Sequence, residues 1–195
     1  MKHSTLHLDI WISAFGAGLT ITLIGFLCES LTSSIFQPVL LVSMGASAIL
    51  IFYRPHGDLS QPWHVFGGHL FAVLLGILGS KIPNLINGLH FIYVSGIVIM
   101  LMLLITHYLH CVHPPSGGTA LFVLLSAEQI GYFQLFGLVL LNVALILLIA
   151  FIIHLFSPHR RYPNSFHDQK FQLLQSLGVS FLTQKIFCLK NDKEK

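Results

Sequence analysis

Residues His107–Leu125 read HYLHCVHPPSGGTALFVLL, and the fold turns on how this stretch divides. An apolar helix ends within it. His113-Pro114-Pro115 interrupts the run, and Ser116-Gly117-Gly118-Thr119 open a second, short helix. Proline lacks an N–H and clashes with the preceding turn, and the residue before it is pushed toward extended geometry, so the pair predicts a stop. The helix that restarts begins with amides that have no internal partner. A polar, broken backbone between apolar segments therefore predicts a place where free N–H groups meet a ligand.

The rest of the chain sets the solvent. Of 195 residues, 54% are hydrophobic and 9% charged, and the mean hydropathy is +0.79. A soluble domain carries about 25% charged residues, so the composition is that of a polytopic membrane protein. The 16 glycines agree, since glycine is enriched in membrane helices. Cys28, Cys111 and Cys188 are odd in number and scattered. They form neither a disulfide framework nor a CxxC pair and read as small apolar packers. The net charge of +3 comes from the tail; it bears on membrane orientation, and no nucleic-acid partner is expected. The first apolar run, from Ile10, is too long for a signal peptide and has no A-x-A site.

Working outward, six apolar segments are expected: Ile10–Cys28, Pro38–Tyr53, His64–Ile82, Gly88–Leu109, Gly117–Ala127 and Tyr132–Phe156. The second and fifth fall short of the about 20 residues a full crossing needs. Between the second and third lies the turn-rich RPHGDLSQPW, with Trp63 as an interface anchor. Arg54 and Asp58 could gate an anion path, but an anchor and a turn are the simpler roles.

The two short segments match. Gly45-Ala46-Ser47-Ala48-Ile49 aligns with Gly117-Gly118-Thr119-Ala120-Leu121, and Val65-Phe66-Gly67 aligns with Leu135-Phe136-Gly137, at offsets of 72 and 70 residues. The competing explanation is chance, because small-residue strings are common in membrane helices. Three segments per half invert the second half relative to the first. The expected fold is an all-α membrane protein of about six transmembrane segments in two inverted three-helix repeats, about 10–82 and 88–156, within a transmembrane domain 1–156. Residues 157–195 read as a basic cytoplasmic tail. Phe171, Leu174, Leu177 and Phe181 recur there at near-helical spacing, as an amphipathic surface helix or a packing helix would. With both termini in the cytoplasm, Lys2, Arg54, Arg160, Arg161, Lys170, Lys185, Lys190, Lys193 and Lys195 lie inside and Lys81 outside. A bacterial inner membrane is the expected location.

In that topology the short helices approach from opposite faces. Each N-terminus carries about half a positive charge, so Ser43, Gly45, Ala46 and Ser47 with Ser116, Gly117, Gly118 and Thr119 are expected to hold a small anion on backbone amides and hydroxyls. His113 either lines this pathway and takes a proton, or caps the break. His69 either faces the site or bonds a neighbouring helix, and Asn142 reads as glue between helices. His107, His110 and His113 recur every three residues, but the prolines disrupt the set and no carboxylate joins it. An interfacial cluster is expected, with no metal and no cofactor.

These residues carry a resemblance. His113-Pro114-Pro115-Ser116-Gly117-Gly118-Thr119-Ala120 resembles the signature of the HPP family of integral membrane proteins. Gly45–Ala48 is similar to its Gly-Ala-Ser-Ala element, and Gln61-Pro62-Trp63 with Gly67-Gly68-His69 to its Gln-Pro-Trp and Gly-Gly-His elements. The similarity covers about residues 10–156. Members in chloroplasts and cyanobacteria are implicated in nitrite transport, which the resemblance implies as an expectation here; many bacterial members have no known substrate. Some members carry a CBS region, and the residues after Phe156 match nothing in the family. The expectation is a transporter or channel for a small inorganic anion in the lipid bilayer, nitrite among the candidates; a homo-oligomer is compatible with it. No Walker motif points to ATP. The alternatives are a structural or regulatory membrane subunit, and a His-dependent intramembrane enzyme. The sequence shows no nucleophile–base or carboxylate pair at readable spacing, so no enzyme is expected.

Overall fold

The computed structural model describes residues 2–31, 37–82, 91–157, 160 and 162–164. Among these residues all regular structure is helical. Six helices follow in order: α1 (Lys2–Leu31), α2 (Gln37–Tyr53), α3 (Pro62–Ser80), α4 (Phe91–Tyr108), α5 (Ser116–Ile130) and α6 (Tyr132–Leu155). A single 3-10 turn, Asp58–Ser60, sits between α2 and α3. The segments Asp9–Leu31, Pro62–Ser80, Phe91–Tyr108 and Tyr132–Leu155 are long and apolar enough to cross a membrane. α2 and α5 are the shorter pair, at 17 and 15 residues. α5 outruns the expected 117–127 because Glu128 and Gln129, at its far end, are exposed and need no burial. The expected start of the fourth segment at Gly88 and the tail helix around Phe171–Phe181 lie outside the described residues.

The bundle is apolar inside and out. Leu40, Met44, Ile51 and Phe52 of α2 pack with Val65 and Val73 of α3, Phe122 and Val123 of α5, and Leu135 to Ile146 of α6. Trp11, Phe15, Phe26, Ile92, Tyr93 and Phe133 point outward. A surface this apolar suits lipid, not water. Asn142 Nδ2 donates to Cys28 Sγ at 3.3 Å and ties α6 to α1.

Two sets of polar contacts mark the ends. At one, Arg160 reaches back after α6. Its guanidinium donates to the Phe52 carbonyl at 2.7 Å, the Ser13 hydroxyl at 2.8 Å and the Asp9 carbonyl, and lies 3.5 Å from the Asp9 carboxylate. Arg160 and Tyr162 are buried, so the packed region continues past Phe156. At the other end Lys81 Nζ sits 4.8 Å from the Tyr132 ring centroid. The start of α1, the end of α2 and the chain after α6 therefore share one end of the bundle.

α3 is the central helix, packed on α4, α5 and α6. Its glycines allow this. A Cβ on Gly76 would lie 2.8 Å from the Ala120 carbonyl oxygen and 2.8 Å from Val123 Cβ, and one on Gly79 would lie 2.6 Å from Val98. Small residues at these positions let helix backbones touch where lipid provides no hydrophobic drive.

Gly76→Ala is expected to lower stability by about 1–3 kcal/mol, since the Ala120 backbone cannot give way. Gly96→Ala, with nothing within 4 Å of its Cβ, should leave the melting temperature at or above wild type. Thermal unfolding in detergent, read by a thiol dye at buried Cys28 and Cys111, makes the comparison. Equal losses would contradict the close α3–α5 contact.

Candidate functional site

The break is built in two parts, and the first does not involve proline. α4 ends at Tyr108. His110 adopts φ 51°, the Cys111 amide donates to the Thr106 carbonyl at 2.8 Å, and the His110 amide donates to the His107 carbonyl at 3.1 Å. This is a Schellman ending with histidine in the left-handed position that glycine usually takes. Trp63 Nε1 donates to the Leu109 carbonyl at 3.2 Å and covers the same end. The expected proline stop is thus replaced by a C-terminal motif completed before the prolines are reached. Residues 111–113 then run without helical structure along α3. A Cβ on Gly67 would lie 2.7 Å from Cys111 Cβ, and one on Gly68 would lie 2.7 Å from His113 Cβ. Gly67 and Gly68 are what let this strip of backbone into the bundle.

The prolines start the next helix. Pro115 has φ −58° and ψ −26°, already helical, as a ring-fixed φ favours in a first turn. The amides of Ser116, Gly117 and Gly118 donate to the carbonyls of His113, Pro114 and Pro115 at 3.0, 3.1 and 3.1 Å. The prolines have no N–H, and the next three amides are partnered within the turn. The free backbone donors expected here are therefore taken in this conformation, because i to i+3 bonds of the 3-10 kind satisfy the helix start.

What lies beside this start is a chain of side chains. His113 Nδ1 bonds the Leu59 carbonyl at 2.8 Å. His113 Nε2 lies 2.9 Å from Ser47 Oγ, which lies 3.0 Å from His69 Nε2. His69 Nδ1 lies 2.9 Å from Thr119 Oγ1, which lies 2.7 Å from Ser43 Oγ. Ser43 Oγ donates to the Pro115 carbonyl at 2.8 Å. Ser116 Oγ donates to the His113 carbonyl at 2.6 Å and fixes the turn. Ser43, Ser47, His69, His113, Ser116 and Thr119 are each at most 3% exposed. Buried polar groups in an apolar bundle are tolerated only when paired, and here each pairs with the next. The imidazole rings are tilted with centroids 5.2 Å apart.

The structure thus brings together Ser43, Ser47, His69, His113, Ser116 and Thr119. It leaves Gly45, Ala46 and Gly117 outside. Ala46 is exposed, and Gly45 has nothing within 4 Å of its Cβ position. Gly117 faces Ile99 at 3.6 Å; Gly118 lies against Ser43, whose Cβ would be 3.3 Å from an added Cβ. His107 and His110 are exposed, whereas His113 is buried. Among the described residues no three His, Cys, Asp or Glu side chains are grouped to hold a metal ion. Two participants had no signal in the sequence, the carbonyls of Leu59 and Pro115. Leu59 is presented by the turn in which Ser60 Oγ donates to Leu50 O at 3.1 Å and Gln61 Nε2 to Pro55 O and Gly57 O at 3.0 Å.

Comparison with known proteins follows from this arrangement. A family model described as HPP, transmembrane region, matches residues 2–163. Two transmembrane proteins of Dictyostelium discoideum are similar. One is 28% identical over 155 residues, 78% of this chain and 53% of the relative. The other is 30% identical over 155 residues, 78% of this chain and 49% of the relative. The chain spans about half the length of these curated relatives. No solved structure matches.

Ser47→Ala removes the hydroxyl shared by the two imidazoles and strands two buried nitrogens. It should cost about 1–3 kcal/mol, whereas Ser30→Ala, which loses an exposed bond to Leu27 O, should be near neutral. Melting curves of the two variants in detergent decide; similar melting temperatures would mean that the network holds no stability.

Proposed function

The chain belongs to the HPP transmembrane family, and on that premise we propose that it moves a small inorganic anion, nitrite among the candidates, across a membrane. It is a multi-pass membrane protein. The observation that carries the proposal is the buried network of two imidazoles and three hydroxyls where the two short helices meet. Ionisable and polar side chains are expensive inside an apolar bundle and mark substrate or ion pathways when they occur. The recognition groups are Ser43, Ser47, His69, His113 and Thr119, with α5 adding the positive end of its dipole.

The inverted repeat belongs to the same proposal. An offset of 72 carries Ser43 onto Pro115 and Ser47 onto Thr119. Ser43 bonds both Pro115 and Thr119. Repeat-related positions touching in this way support a pseudo-two-fold axis through the junction of α2 and α5. Arg54 and Arg160 fall at one end of the bundle and Lys81 at the other, which supports both termini inside.

One contact favours a second reading. Ser47 Oγ lies within hydrogen-bond reach of two imidazole nitrogens, a nucleophile–base geometry that tertiary structure alone assembles. Labelling of Ser47 by a fluorophosphonate probe would establish an intramembrane hydrolase in place of a carrier.

Purified protein in liposomes should take up an anion from a panel of nitrite, nitrate, formate and chloride. Gly118→Leu, which crowds Ser43, should lower that uptake at least about tenfold, a barrier of ~1.4 kcal/mol. No uptake of any of the four by folded protein would refute transport. Unchanged uptake by folded Gly118→Leu would place the path elsewhere.

A further inference from the structure

Hydrogens can be counted along the network. Six contacts run in line from the Leu59 carbonyl through His113, Ser47, His69, Thr119 and Ser43 to the Pro115 carbonyl. Both ends are carbonyl oxygens, which only accept. Between them, each neutral imidazole and each hydroxyl supplies one hydrogen, so five hydrogens serve six contacts. The 3.2 Å bond from Ser47 Oγ to the Ser43 carbonyl competes for a hydrogen already counted and adds none. The neutral network is therefore one hydrogen short.

The position of the gap follows from the ends. His113 Nδ1–H is committed to Leu59 and the Ser43 hydroxyl to Pro115, which leaves His113 Nε2 as an acceptor. Three hydrogens, from Ser47, His69 and Thr119, must fill the four middle contacts. Turning the hydroxyls and exchanging the His69 tautomer moves the gap among those four. One added proton closes it. With the proton on His69, both its nitrogens donate, Ser47 donates to His113, and Thr119 to Ser43. With it on His113, both His113 nitrogens donate, Ser47 donates to His69, and His69 to Thr119. Either state satisfies all six contacts, and the Ser47 hydroxyl connects them.

The same count bears on an anion, which needs donors. By this count neither the neutral nor the protonated network has a donor to spare, and the amides at the start of α5 are already partnered; what the added proton offers an anion is its charge. A protonated network carries one positive charge, and among the described residues no carboxylate contacts it. Beyond the two histidines themselves, the titratable and charged groups described on the surrounding elements are Tyr53 of α2, Arg54, His56 and Asp58 in the exposed turn, His64 and Lys81 at the two ends of α3, Tyr93, His107 and Tyr108 of α4, His110 and Cys111 in the break, and Glu128 at the far end of α5. A buried lone charge is costly, and a paired one much less so.

We propose that each monovalent anion crosses together with one proton, which the His113–Ser47–His69 network takes up. This rests on the anion-transport proposal above and names its coupling ion. The loaded site is neutral, so transport is electroneutral and runs faster from the more acidic side.

Proteoliposomes containing the internal pH dye pyranine test this, with inward gradients of nitrite and of nitrate and protein-free vesicles as the blank for nitrous acid leak. Internal acidification at one proton per anion is expected, with uptake unaffected by a valinomycin-imposed potassium potential. The double variant His69→Gln with His113→Gln keeps a donor and an acceptor at each position but takes no proton. Its acidification should disappear, and its residual uptake should become sensitive to the potential. Wild-type uptake that is potential-sensitive or unaccompanied by protons overturns the coupling while leaving transport intact, whether or not the double variant folds. Acidification retained by a folded double variant also overturns it. Absence of any uptake removes the transport proposal and the coupling with it.

Discussion

The position of one hydroxyl organises the interior. Ser47 Oγ lies between the Nε2 atoms of His69 and His113, at 3.0 and 2.9 Å. Three separate parts of the chain supply these groups: α2, α3 and the break before α5. None could be buried alone in an apolar bundle without an unsatisfied nitrogen or oxygen. Placing the hydroxyl there requires α2 to cross α5 at Ser43–Ser47 and requires the break to lie against α3 at Gly67 and Gly68. The packing of the centre and the chemistry of the network are consequences of a single arrangement.

The glycines of α3 make that arrangement sterically possible. Gly68 admits His113 and Gly76 admits the backbone of α5. Without them the break would be held off by a side chain, and the His113 ring could not reach both Leu59 and Ser47. Outside this strip the helices are fastened by ordinary means: the apolar core at the α2–α6 side, and Arg160, whose charge at one end is met by two carbonyls, a hydroxyl and the Asp9 carboxylate. The network is complete in its neighbours but, in its neutral form, one hydrogen short, and the fold places a carbonyl at each of its ends.

Much of the fold was legible from composition and punctuation. Low charge and long apolar runs place the chain in a membrane because unpaired charges are not tolerated there, and the short second and fifth segments follow from Pro38, the loop at Arg54, and His-Pro-Pro. The break was misassigned in detail. Tyr108 to Cys111 end α4 with a Schellman motif that uses histidine where the usual glycine signal is missing, so its sequence shows no stop. The prolines, read as a stop, serve as a start. The candidate site was half legible: the serines, threonine and histidines were singled out by polarity in apolar surroundings, whereas Gly45 and Ala46 were named for the amides of a helix start and lie inside α2, which begins at Gln37.

By itself, then, the sequence determined the solvent, the order of the apolar segments with the second and fifth the shorter, and which polar side chains the interior would have to satisfy, since these depend on hydropathy, on proline and on local backbone geometry. Only the tertiary structure decided their partners. That His113 meets Leu59, that Ser47 serves two rings and that the first amides of α5 are already taken are matters of which surfaces touch across 54, 22 and 66 residues of chain, or of a turn closing on itself. A hydrogen bond depends on distance and direction in space, and neither is written in the spacing of residues along the chain.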